Sequence, residues 1–214
     1  MKINGFNDTI DWYSKNANHY AQSIKNREFI DAINEFTRLI LKEGRVLDAG
    51  CAAGRDTNLL SDKGLVVVGI DLSKELLELA KKSYPTLKFI EGDFRNLPFE
   101  DNYFDGIWAN ASLLHFETIQ QVTKAIKEFY RVMKKGGVIH VSVKAQTGKD
   151  KTAVVSDSLS KHDRFFQFFK EGEVKDLLIK NYFEIIKLKQ YRETDIIPNG
   201  RFEVEWILAL ARKK

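Results

Sequence analysis

The sequence predicts an α/β fold built on a mostly parallel sheet, and three observations carry that expectation. Short apolar runs alternate with helical stretches through the middle of the chain, most of those runs end in a small or acidic residue, and glycines sit at many of the joints. The 214 residues, 43% hydrophobic and 30% charged, suit one ordinary folded domain, long enough to bury a core without disulfides or a structural metal.

The elements follow in order. Residues 11–42 carry helical spacing, with Ile24, Phe29, Ile30, Ile33, Phe36, Leu39, Ile40 and Leu41 recurring at three- and four-residue steps until Gly44 stops the pattern. The runs 45–48, 65–71 and 87–90 read as strands, the first two followed by helices over 55–63 and 73–83. A fourth strand covers 104–109, a helix runs from about Glu117 to Met133, and Gly136-Gly137 introduces a fifth strand over 138–143. Beyond a polar stretch read as irregular, 145–164, come a helix near 171–180 and strands near 183–190 and 202–212. A parallel neighbour needs a crossover of roughly a dozen residues, whereas Pro198-Asn199-Gly200 reads as a turn, so the last strand is expected to run antiparallel.

Charge and cysteine content limit the function classes. The net charge of +4 is modest, and its excess falls between Lys144 and Arg192, where 11 basic residues face 7 acidic ones. That is a solvated lysine-rich surface or a site for an anionic substrate, and it is too small to demand nucleic acid. Cys51 is the only cysteine, so no internal disulfide or cysteine-cluster zinc site is expected, and no metal ligand set is assigned. The opening residues hold no apolar signal core and no later run approaches the roughly 20 residues of a membrane span, so a cytoplasmic protein away from membranes is expected.

The strongest chemical signal is Asp48-Ala49-Gly50-Cys51-Ala52-Ala53-Gly54-Arg55, a small-residue turn between strand and helix. Such a turn lets backbone approach a ligand, and the helix start beyond it offers free N–H groups to a carboxylate or phosphate. The glycine spacing departs from the G-x-G-x-x-G of dinucleotide folds, which argues against NAD. Asp71 ends the second strand 23 residues after Asp48, where a carboxylate can accept two hydrogen bonds from a ribose diol or cap the next helix, a task Ser73 can also perform. Asp93 and Phe94 follow the third strand, offering an acceptor for an adenine amino group and an aromatic flank.

Together, Asp48 to Gly54, Gly69-Ile70-Asp71, Gly92-Asp93-Phe94, the Phe104 to Asn110 strand and Val132 to Gly137 resemble the successive motifs of class I S-adenosylmethionine-dependent methyltransferases. The resemblance covers nearly the whole chain and implies their Rossmann-like fold: a seven-stranded, mostly parallel sheet with an antiparallel last strand, helices on both faces and a helical N-terminal cap. It divides the single domain, 1–214, into that cap (1–43), a cofactor-binding half (44–144) and a substrate-facing half (145–214). Ala52 stands where many members have glycine, and alanine is small enough to cost little.

By this resemblance S-adenosyl-L-methionine is the cofactor and S-adenosyl-L-homocysteine its product. Asp48 with Gly50, Cys51, Ala52 and Gly54 would surround the methionine moiety, Asp71 would bind the ribose hydroxyls, Asp93 and Phe94 would hold adenine, and Leu72 is also among the cofactor-binding residues. Asn110 would face the sulfonium, Tyr13 and Tyr20 would fold over from the cap, and Arg27 or Arg55 would pair with the methionine carboxylate. His115 is the candidate general base, or a histidine that packs or caps a helix. Arg164, Phe165 and Phe168, in an aromatic run that also holds Phe166 and Phe169, are candidates for the acceptor pocket, with burial in the core as the alternative. The leading expectation is methyl transfer to an O, N or S atom of a small molecule. Arg164-Phe165-Phe166 before Gly172-Glu173-Val174 is also similar to a segment of methyltransferases that esterify carboxylate-bearing wobble uridines in tRNA, although Gln167 replaces their histidine. tRNA is therefore the alternative partner, and a non-catalytic S-adenosylmethionine-binding protein the third reading. Oligomeric state is not legible.

Overall fold

The computed structural model describes residues 5–27, 29–156, 163–196 and 200–214. Seven strands form one sheet: β1 (Arg45–Ala49), β2 (Val66–Asp71), β3 (Lys88–Glu91), β4 (Phe104–Asn110), β5 (Met133–Lys144), β8 (Phe183–Arg192) and β9 (Glu205–Lys213), in the order β3-β2-β1-β4-β5-β9-β8. Strands β1 to β5 pair in parallel, and β9 is antiparallel to both β5 and β8. The expected antiparallel last strand is present, inserted between β5 and β8.

The central strands read as near-continuous apolar runs because both of their faces are covered. Alternate residues point to opposite sides. Leu47, Ile70, Ile107 and Ile139 meet α6 (Ile119–Val132) and α7 (Glu171–Lys180) on one face. Val46, Val67, Trp108 and Val138 meet α3 (Ile30–Thr37) and α4 (Arg55–Asp62) on the other. Helix α6 buries Val122, Ala125, Ile126, Phe129 and Val132 at three- and four-residue steps and starts with a Thr118–Gln121 capping box. On the remaining joint, α5 (Lys74–Ser83) is capped by Ser73, whose hydroxyl accepts from the Leu76 N–H at 3.3 Å.

Two expectations need correction. The helical stretch expected over 11–42 is three pieces, α1 (Gly5–Lys15), α2 (Ala17–Ile24) and α3, and it ends at Thr37. Of the three apolar residues that follow, Ile40 seats over Gly106 and Gly44, while Leu41 is 87% exposed, so the apolar run 39–41 is not one helical face. The stretch expected to be irregular holds an antiparallel pair, β6 (Thr152–Ser156) with β7 (Asp163–Gln167). Val154 and Val155 are both exposed, so the pair lacked the half-buried alternation that marks a strand in sequence. The turn expected at Pro198-Asn199-Gly200 lies, except for Gly200, outside the described residues. Helix α8 (Glu193–Ile196), a single turn, leads into that segment.

Candidate active site

Two adjoining cavities open at the carboxyl ends of β1, β2 and β4, where an open α/β sheet offers a crevice. The smaller, about 90 Å³, takes Asp71, Leu72 and Phe94; the larger, about 310 Å³, takes Asp48, Arg27, Arg55 and Arg164. Tyr13, Tyr20, Gly50, Ala52, Asn110 and His115 line both and so stand where they join.

The turn after β1 needs its glycines. Gly50 and Gly54 have φ of 85° and 83°, and a Cβ on Gly50 would lie 2.5 Å from the Ser112 Cβ. Ala52 also sits in the left-handed region, at φ 47°, which costs a non-glycine residue roughly 1–2 kcal/mol. Asp71 compensates: its Oδ2 accepts the Ala52 N–H at 2.9 Å while Oδ1 accepts the Ser73 N–H at 2.9 Å. Burial pushes the Asp71 carboxyl up, against those two donors. Two further lone pairs remain for a ligand's hydroxyls.

Beneath the turn lie two buried carboxyls. Burial, followed by the charge of Asp56, pushes Asp48 up to about 8, although the Thr57 hydroxyl donates to it at 2.6 Å. Asp56 resists the same burial because Arg55 pairs with it at 2.7 Å, and its pKa is lowered. Asp56 also accepts from Trp108 Nε1 at 3.0 Å and Asn110 Nδ2 at 2.8 Å. The Asn110 amide oxygen accepts from the Ser142 hydroxyl, so the side chain is fixed at both ends.

The roof is the N-terminal cap. Tyr13 and Tyr20 meet edge to face at 4.7 Å, with Trp12 against both. The Tyr13 hydroxyl and His115 Nε2 lie 2.9 Å apart, and His115 Nδ1 lies 2.9 Å from the Phe165 carbonyl. A carbonyl only accepts, so Nδ1 carries the proton and Nε2 accepts from Tyr13. Burial drops the His115 pKa to about 3. Both ring nitrogens are thus occupied by protein partners in a residue held neutral.

Not every sequence-predicted residue lines the cavities. Gly54 caps α4 from outside the lining. Asp93 turns to Arg95, which donates to both of its oxygens at 2.5–3.0 Å, and lines neither cavity. Phe165 meets the site through its main chain, and Phe168 packs on the core, whereas Phe166 faces the larger cavity. The sequence does not single out Trp12, Asp56, Lys144, Arg201 and Trp206, which all line that cavity, or Glu193 behind it, whereas Phe166 belongs to the aromatic run expected to supply it. Lys144 ends β5 just as Asp71 ends β2, so its position at a strand tip was an available signal. Glu193 and Arg201 carried none.

Residues 47–141 match the family model described as a methyltransferase domain. That stretch of the chain is similar to this domain. The demethylmenaquinone methyltransferase of Chlorobaculum tepidum is 35% identical over 101 residues, covering 47% of this chain and 40% of that protein. The malonyl-[acyl-carrier protein] O-methyltransferase of Enterobacter lignolyticus is 30% identical over 129 residues, covering 59% and 49%. The chain therefore spans about half the length of these curated relatives. Among solved structures, the 1,6-didemethyltoxoflavin-N1-methyltransferase of Burkholderia thailandensis, bound to its acceptor and S-adenosylhomocysteine, superposes with a TM-score of 0.76 at 19% identity, over 97% of this chain and 88% of that one. The fold around that stretch is the Rossmann-like fold of that solved structure. No helix among the described residues is long and apolar enough to cross a membrane.

Proposed function

We propose that the whole chain is an S-adenosylmethionine-dependent methyltransferase acting on a small molecule. The observation that carries this reading is the pair of joined cavities at the strand ends, one holding the Asp71 carboxylate beside the glycine turn and the other lined by aromatic and cationic side chains. The residues suit the cofactor. Asp71 keeps lone pairs for a ribose diol, the turn is free of side chains at Gly50, and the buried Ser112 hydroxyl beside it has no protein partner. The relatives named above act, by their names, on demethylmenaquinone or malonyl-[acyl-carrier protein], and a cavity of about 310 Å³ suits a small acceptor group.

When bound, S-adenosylmethionine supplies a methyl group activated on a sulfonium and is left as S-adenosylhomocysteine. This chain binds, orients and excludes water. Asp71 and Leu72 would hold the ribose, Phe94 the adenine face, and Asp48 with the Gly50 to Ala52 backbone the methionine end. Arg27 and Arg55 already carry carboxylate partners, and Arg55 also donates to the Ile24 carbonyl at 3.0 Å. Either would offer its remaining N–H groups to the methionine carboxylate. Asn110, clamped by Asp56 and Ser142, keeps its main chain fixed at the junction. Trp12, Tyr13 and Tyr20 shield the junction from water, and held alignment of acceptor and methyl supplies much of the acceleration.

Calorimetric titration tests the reading. S-adenosylhomocysteine should bind and NADH should not, and Asp71→Ala should weaken the former roughly tenfold or more, as expected for a lost hydrogen bond to a charged group. Heat from NADH alone, or unchanged affinity in Asp71→Ala, would sink the cofactor assignment.

A further inference from the structure

Among the described residues, the larger cavity has an unbalanced charge. Arg27, Arg55, Lys144, Arg164 and Arg201 line it, against Asp48 and Asp56. Asp56 answers Arg55, and the buried Glu193 is shared by Arg27 and Arg201, so one positive charge of that trio is left over. Asp48 is held largely uncharged near neutral pH by burial and by Asp56. Lys144 makes no ion pair with a described carboxylate; its Nζ lies 3.8 Å over the Phe166 ring. Arg164 stacks 4.1 Å over Trp12, and its buried Nε has no hydrogen-bond partner. Burial, then Arg201 and Arg164, pull the Lys144 pKa down to about 8, with Glu193 opposing them.

These cations stand next to the junction. Phe166, under Lys144, is 5.0 Å from the His115 ring, and Arg164 is 6.0 Å from the Tyr13 ring. An alcohol acceptor there, or an amine arriving protonated, would have to lose a proton, and four of the titratable groups nearby are ill-placed to take it. His115 has both nitrogens engaged and resists protonation, Tyr13 donates to it, Asp48 is already protonated near neutral pH, and Asp56 is filled by Arg55, Trp108 and Asn110. An acceptor that arrives as an anion satisfies the cations and needs no base.

We propose that the acceptor is a small carboxylic acid, held as its carboxylate by Lys144, Arg164 and Arg201 and methylated to its ester without a general base. This rests on the methyltransferase reading above and names its substrate class. One carboxylate oxygen forms the new C–O bond with its own electron pair, and the methyl's bond to sulfur breaks with its pair to sulfur. Carboxylate and sulfonium become a neutral ester and a neutral thioether, and no proton moves. His115 is then a positioning residue that ties Tyr13 of the cap to Phe165 of β7.

Two readouts test this on the full chain. The first is equilibrium binding to the protein loaded with S-adenosylhomocysteine, with benzoate and benzamide as probes of equal shape. Benzoate should bind about tenfold tighter or more, as expected for charge-assisted hydrogen bonds. Lys144→Met and Arg164→Gln should abolish that preference while leaving S-adenosylhomocysteine affinity within about threefold, and Lys144→Arg should restore much of it. Benzoate binding no better than benzamide would overturn the proposal.

The second readout is labelled methyl transfer into an extract of the cells that make this protein. Label should enter low-molecular-weight solutes and be released as methanol by mild alkali. Alkali-stable label would overturn the proposal and leave the methyltransferase reading intact, and ester label confined to nuclease-sensitive RNA would overturn its small-molecule part. Failure of S-adenosylhomocysteine to bind at all would strike the underlying reading instead.

Discussion

Replacing Glu193 by glutamine keeps the shape of a side chain with no exposed surface and removes its charge. That carboxylate accepts from the Arg201 main-chain N–H at 3.1 Å, from Arg201 Nε and Nη2 at 3.0 Å each, from Trp206 Nε1 at 2.9 Å, and from Arg27. Against the burial that works to raise it, these donors hold the carboxyl at about 2 rather than its ordinary 4.5. The difference corresponds to about 3.4 kcal/mol of stability at neutral pH. Its partners are not fully buried, with Arg27 33% and Arg201 48% exposed, so solvent screening reduces the expected loss to about 2–3 kcal/mol. For a domain of this size that lowers the melting temperature by about 5–10 °C.

The sign of the pH dependence follows. A carboxyl with a lowered pKa in the folded state contributes fully above its ordinary 4.5 and loses that contribution as pH falls through about 2. The gap between wild type and Glu193→Gln, measured by urea unfolding, should be widest near pH 7 and shrink to less than half by about pH 3. A gap below about 1 kcal/mol at neutral pH, or one that does not narrow with acid, would refute the ion-pair account.

Two other perturbations test the packing around the site. His115 and His140 are buried with pKa values of about 3, and His140 stacks 3.9 Å from Trp108 with its Nε2 unpartnered. Their neutral forms favour folding above 6.5, and that stability is lost as pH falls from 6.5 toward about 3. Together they should add about 2.7 kcal/mol per pH unit to the acid slope, and His140→Gln should remove about half of it; an unchanged slope would count against His140 staying neutral. Gly50→Ala combines positive φ with a 2.5 Å clash and should cost roughly 1–3 kcal/mol and most S-adenosylhomocysteine affinity, whereas Gly136→Ala, at φ 78° in open space, should cost only about 1. Equal losses in chemical denaturation would show that the clash with Ser112 is relieved.

The sheet was legible because its signals are local. Each strand from β1 to β5 is a short apolar run beside a helix with its own start or stop, as Ser73 shows for α5 and Thr118 for α6. The β6–β7 pair is not legible because exposed valines carry no burial pattern, and the breaks between α1, α2 and α3 are not legible because apolar periodicity does not reveal them. The same contrast divides the site. Asp48, Gly50 and Ala52 follow one another at the tip of β1, and Asp71 ends the strand beside it, so a motif specifies them.

The cationic wall is assembled differently. Arg27 and Glu193 are 166 residues apart, Thr9 of α1 accepts the Phe165 N–H of β7 at 2.8 Å, and Lys144 pairs with Trp206 through the β5–β9 register. Each of these contacts joins segments far apart in sequence, which meet where β9 lies between β5 and β8 and where the cap packs on β7. The residues proposed to hold the cofactor are thus mostly neighbours in sequence, and those proposed to choose the acceptor are neighbours only in the folded chain. On the carboxylate proposal, substitutions at 144, 164 and 201 should therefore change acceptor preference while the strand tips carrying Asp48 and Asp71 stay as they are.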